Sequence, residues 1–147
     1  MGLITLLTDF GYRDHYVAAL KAQLLKLAPT ITVVDISHGI EPFNIAHAVY
    51  VLQAVFRDFP VGTVHVVGVA DYGAGPEPGW QVALFEGHYF VVGDNGILAL
   101  LCGGMPEQLV ALPAAVTSSP TRDVLLPAAV ALAQGEPLTS LGPEVTD

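Results

Sequence analysis

Four apolar runs in this chain each end on an aspartate: LITLLTD (3–9), TITVVD (30–35), VHVVGVAD (64–71) and HYFVVGD (88–94). Short apolar runs bounded by turn residues are the pattern of buried strands. Between them the periodicity changes. Val17, Leu20, Leu24 and Leu27 recur at helical spacing, and so do Ile45, Val49, Leu52 and Phe56. Strands alternating with helices build an open, mostly parallel α/β sheet with helices on both faces. Such a sheet gathers its strand ends on one rim, where ligands bind. Asp9, the 35–38 segment ending in His38, Asp71 and Asp94-Asn95 are therefore expected to converge.

The finer reading fills this frame. A helix is expected over 14–27, with Asp14 as its N-cap and Pro29 beyond its end, followed by a buried strand over 30–36. Pro42 precedes a second helix, for which Asn44 is the N-cap. The stretch 80–93 reads as an antiparallel hairpin turning at Glu86-Gly87, followed by a short helix, a strand over 108–112 and a last helix over 123–133.

Composition narrows the class. The 147 residues, read as a single domain over 1–147, are 52% hydrophobic and 13% charged, which suits a sheet covered on both sides and excludes a disordered chain. Five Lys and Arg face fourteen Asp and Glu, a net charge of −9 with no basic stripe, so nucleic acid is not an expected partner. Cys102 is the single cysteine, which rules out an internal disulfide and a cysteine zinc cluster and fits a cytoplasmic protein. The N-terminus reads as a first strand rather than a leader, and Leu6 stands where a myristoylation motif needs Ser or Thr. No uncharged stretch is long enough to cross a bilayer, so no membrane partner is expected.

Individual residues leave choices open. Asp9 either turns the chain through a local Asx hydrogen bond or binds a ligand. His15, His47 and His88 read as surface residues, His65 as a satisfied core residue, and His38 as a strand-end residue with a structural role. No His or carboxylate spacing marks a metal site, and Tyr72-Gly73-Ala74-Gly75 lacks the third glycine of a dinucleotide fingerprint, so no metal and no cofactor are expected. Asn95-Gly96 makes a turn into a helix or offers its amides to a polar ligand. Trp80, after a Pro-Gly pair, covers the sheet edge, lines a pocket or plugs one.

Taken in order, TLLTDFGYRDHYVAALKA, VVDISHGIEPFNIAHAVYVL, FPVGTVHVVGVADYGAG, VVGDNGIL and TRDVLLPAAVALAQG resemble the N-terminal domain of the S-adenosylmethionine hydrolases, or hydroxide adenosyltransferases. These are relatives of the 5′-fluoro- and 5′-chloro-adenosine synthases. The resemblance implies a trimeric α/β domain whose substrate is S-adenosylmethionine, with water displacing methionine at the 5′ carbon. It implies Asp71 as the catalytic aspartate that orients and polarises the water, Asp9 on the ribose hydroxyls, Phe43 beside the adenosine and Asn95 in a substrate-contacting turn.

The same comparison implies losses. An Asp-Arg-His set handles water in the family. Here Pro78 stands near the arginine position and Pro120 at the histidine, and no Arg or Lys occurs between Arg57 and Arg122. The family's C-terminal β-barrel is expected to be absent. The expectation is a hydrolase of reduced or lost activity. The alternatives are an inactive adenosine-binding module, or a subunit completed by a separate chain that supplies the barrel.

Overall fold

The computed structural model describes residues 2–72 and 79–146; the Gly-Pro loop at 73–78 lies outside them. Six strands form one sheet: β1 (Leu3–Thr8), β2 (Thr32–Ser37), β3 (Val64–Gly68), β4 (Trp80–Phe85), β5 (His88–Gly93) and β6 (Gln108–Ala111). Their spatial order is β2-β1-β3-β5-β4-β6. β2, β1, β3 and β5 run parallel, while β4 pairs antiparallel with both β5 and β6. The hairpin turn expected at Glu86-Gly87 forms, with φ of 51° and 81°. Two successive residues at positive φ give the turn whose twist matches the flanking strands.

Side-chain alternation divides the core. Ile4, Leu6, Val64, Val66 and Val91 face one way, against α1 (Tyr16–Leu27) and α4 (Leu126–Ala133). Leu7, Val67, Phe90 and Val92 face the other way, against α2 (Ile45–Val55) and α3 (Ile97–Cys102). Each fully buried aliphatic chain here contributes about 1.5–3 kcal/mol relative to exposure. Helices on both faces are therefore held by the period-two pattern of the parallel strands.

Local expectations fare unevenly. Asn44 caps α2, its carboxamide oxygen accepting from the His47 amide at 2.9 Å. Asp14 does not cap α1, whose cap position is His15 with no side-chain hydrogen bond. β2 is not buried: it is an edge strand, Val34 is 37% exposed, and among the described residues one long side of it meets no other strand. The last helix begins earlier than expected, as a π turn over Thr121–Leu125 that runs into α4.

His88, expected on the surface, is buried. His65 lies between Thr5 (Oγ1 to Nδ1, 2.7 Å) and His88 (Nε2 to Nδ1, 3.1 Å). A Thr5 hydroxyl donating to His65, and His65 Nε2–H donating to His88, satisfies both contacts with neutral rings. Phe56, Phe59 and Phe90 surround His65. Burial pushes the His65 imidazole down to about 3, and neighbouring His88 adds to the effect.

A histidine that stays neutral when folded but protonates when unfolded makes the unfolded state the better proton binder. Stability is then whole above the unfolded value near 6.5 and is lost as pH falls below it. Urea denaturation should show about 2 kcal/mol less stability at pH 5 than at pH 7.5 from His65. His65→Asn should flatten that dependence, and an equally steep slope in the variant would assign it elsewhere.

Candidate functional site

The carboxyl ends of β1 and β3 sit side by side, because the two strands pair in parallel with Thr8 opposite Gly68. Asp9 and Asp71 follow them. Both line one cleft of about 540 Å³, together with Phe10, Tyr16, Phe43 and Tyr72. That volume suits a nucleoside-sized ligand, and two acids among aromatic rings suit a ligand that is partly flat and partly hydroxylated or cationic. Another cavity, of about 460 Å³, is lined by Gly2, Thr30, Gly62 and the end of α4, with no titratable side chain among its described lining.

Asp9 makes no local Asx turn. Its Oδ2 accepts from the Phe43 amide at 2.8 Å and from the Ala70 amide at 3.3 Å. Phe43 and Ala70 both hold positive φ, 61° and 48°, which costs a side-chain-bearing residue about 1–2 kcal/mol. A single carboxylate oxygen thus ties the ends of three segments and offsets the strain of two of them. Phe43, 78% exposed, is held at the cleft. Among the described residues, the second oxygen of Asp9 has no hydrogen-bond partner.

Asp71 is arranged in parallel fashion. Its Oδ2 accepts from the Thr121 hydroxyl at 2.7 Å and the Thr121 amide at 3.3 Å, and its Oδ1 has no partner among the described residues. The acid so meets the N-terminal end of the last helix, where backbone amides and the helix dipole favour negative charge. Arg122 also lines the cleft, but its Nε and Nη2 reach Asp123 at 2.8 and 3.2 Å. That pairing, with a hydrogen bond from Thr117, holds Asp123 below its usual range. Where the resemblance implies a lost arginine, the donor that meets Asp71 is a threonine hydroxyl.

Asn95 sits behind the rim and is buried. Its carboxamide donates to the carbonyls of Val69 and Ala70 at 2.9 and 3.0 Å and accepts from the Ile97 amide at 3.1 Å. It holds the turn that carries Asp71 and takes the first free amide of α3. Trp80 is not among the described residues that line the cleft, and it sits on no edge strand; it is buried on β4 between β5 and β6. Its indole N–H donates to the Asp71 carbonyl at 2.6 Å.

The second and fourth strand ends do not join the cleft. Asp35 bonds His38 at 2.8 Å and also pairs with Lys21, while His38 reaches Thr8 at 2.7 Å. Burial opposes the charge of Asp35, but the bonds from Lys21 and His38 outweigh it and hold the acid below its usual range. His15, read from the sequence as a surface residue, does line the cleft, its ring tilted against that of Tyr16 with centroids 4.5 Å apart, and Tyr16 lines it too. Pro120 lines it too, at the position where the resemblance assigns a histidine.

The family model for the SAM hydroxide adenosyltransferase N-terminal domain matches residues 4–142. The chain is 38% identical to an (R)-S-adenosyl-L-methionine hydrolase of Thermus thermophilus over 95% of its own length, and 36% identical to one of Salinispora arenicola over 97%. A fluorinase of Nocardia brasiliensis matches at 24% identity over 99% of the chain. A crystal structure of a conserved protein from Thermotoga maritima superposes with a TM-score of 0.88 at 32% identity, over 98% of this chain and 58% of that one. The chain is thus a member of the SAM hydroxide adenosyltransferase N-terminal domain family. It spans 60% and 57% of the two hydrolases' lengths.

The Asp9 tie makes a direct prediction. Asp9→Ala leaves two strained amides without their shared charged acceptor and should lower unfolding stability by about 2–4 kcal/mol in urea titration. Ala70→Gly relieves strain at the same joint and should be neutral or raise stability by up to about 1 kcal/mol.

Proposed function

We propose that the Asp9–Asp71 cleft binds S-adenosylmethionine and that the chain promotes its hydrolysis to adenosine and methionine. One observation carries this reading: two carboxylates, each anchored through Oδ2, share a nucleoside-sized aromatic cleft in a chain 38% identical to a protein named for that activity. The oxygen of Asp9 that has no partner among the described residues accepts the ribose hydroxyls. The exposed ring of Phe43 packs on the adenosine. Asn95 enters through the turn it holds rather than through a free polar group.

Chemically, little needs to be supplied. A water oxygen bonds to C5′ as the C5′–sulfur bond breaks, and its electron pair stays on sulfur. Methionine leaves as a neutral thioether, and the water proton passes through Asp71 to solvent. The sulfonium is already a good leaving group, so the protein contributes position, an acceptor for the water and a favourable negative field. With Pro120 at the family's histidine and Arg122 committed to Asp123, a slow rate is expected. Those same two residues favour the second reading, an adenosine-binding module without turnover.

The rim supports a shared site. Tyr16 and Phe43 are 53% and 78% exposed, and a neighbouring subunit of a homotrimer, or a separate barrel chain, would cover that face. A substrate made inside cells puts the reaction in the cytoplasm. Incubation with S-adenosylmethionine, followed by chromatography, should yield adenosine and methionine above the spontaneous background. Asp71→Asn should lower the rate on the order of 10²-fold while calorimetric adenosine binding persists. No turnover in the native chain would overturn hydrolysis, and adenosine binding without turnover would leave the binding module.

A further inference from the structure

Asp71 is held at its backbone carbonyl and at one carboxylate oxygen. Its carbonyl accepts the Trp80 indole N–H at 2.6 Å, and its Oδ2 accepts the hydroxyl and amide of Thr121. The two carbonyls before it, those of Val69 and Ala70, are held by Asn95. Close packing completes the seat. A methyl group added at Gly68 would stand 2.7 Å from the Thr121 hydroxyl, and one at Gly93 would stand 3.1 Å from the Asp71 carbonyl. Neither position admits a side chain without displacing the residue that holds Asp71 or Asp71 itself.

We propose that Thr121 and Trp80 are positioning residues, one fixing the Asp71 carboxylate and the other its backbone, so that Oδ1 alone is presented to the ligand. Thr121 is fully buried and Trp80 nearly so, so neither touches what fills the cleft. Thr121 supplies the donor that, among the described residues, no arginine or lysine supplies to this acid. A hydroxyl bond to a charged carboxylate is short and strong, and the helix-end amide beside it adds a second donor in fixed geometry. With both donors on Oδ2, rotation about the side-chain bond would break two hydrogen bonds together. The carboxylate is therefore locked in orientation without being neutralised, which leaves its charge available to the ligand.

The functional part of this inference rests on reading the cleft as an adenosyl site, and the test separates the two. Trp80 is the single tryptophan, so the chain has one indole N–H resonance, and that resonance reports on the Asp71 carbonyl. In the full chain without ligand, the resonance should move in Thr121→Val and stay in Thr121→Ser. An unmoved resonance in Thr121→Val overturns the bracket, whatever the cleft binds.

With S-adenosylmethionine, Thr121→Val and Trp80→Phe should each lower kcat by roughly tenfold or more, with KM within about threefold and Thr121→Ser close to the native chain. Native kcat in Thr121→Val would overturn the positioning role. Parallel losses in melting temperature, adenosine affinity and kcat would also overturn it, because they mark a merely structural residue. A native chain inert toward S-adenosylmethionine removes the hydrolase reading, and the indole resonance then decides the bracket by itself.

Discussion

One oxygen of Asp9 joins three parts of the chain that are separated along it by two helices and two strands. Its hydrogen bonds to the amides of Phe43 and Ala70 set the entry to α2 and the exit from β3, both at positive φ. Such strain persists where the surroundings over-determine it, and here a charged acceptor on the first strand does so. This tie fixes the outward presentation of Phe43 and, together with Asn95, the turn leading to Asp71. The rim of the sheet is consequently a rigid frame before any ligand arrives.

The two acids then work by the same device. Each gives one oxygen to backbone or side-chain donors and keeps the other free of described protein partners. A carboxylate held this way has lost its orientational freedom but not its charge, which is the state a catalytic or binding acid needs. The chain reaches it around Asp71 with a threonine and a helix end in place of a basic residue. Arg122 is in the same cleft, yet its pairing with Asp123 keeps its forked donors directed away from that task.

Much of this was legible from the residues. The runs ending at Asp9 and Asp71 are strands, their parallel pairing puts both acids on one rim, and Asn44 caps its helix as its identity implies. β2 was misread because an apolar run looks the same at the edge as in the centre; strand order, which local pattern does not encode, decides its exposure. His88 follows a turn and so looked exposed, but strand pairing brings it onto His65. Thr121 lies fifty residues from its partner Asp71 and was hidden for that reason, although a hydroxyl at a helix start is the one local signal it gave. Trp80 was ambiguous because its role depends on a single backbone carbonyl.

The central claim is that the cleft between Asp9 and Asp71 is an adenosyl site built on two half-anchored carboxylates. Crystals grown with saturating adenosine test it most directly. The account predicts the nucleoside between the two acids, with ribose hydroxyls on Asp9 Oδ1 and the base against Phe43, and with Oδ2 of both acids still holding its present partners. Adenosine bound elsewhere, or an Asp71 swung away from Thr121 to meet it, would contradict the account.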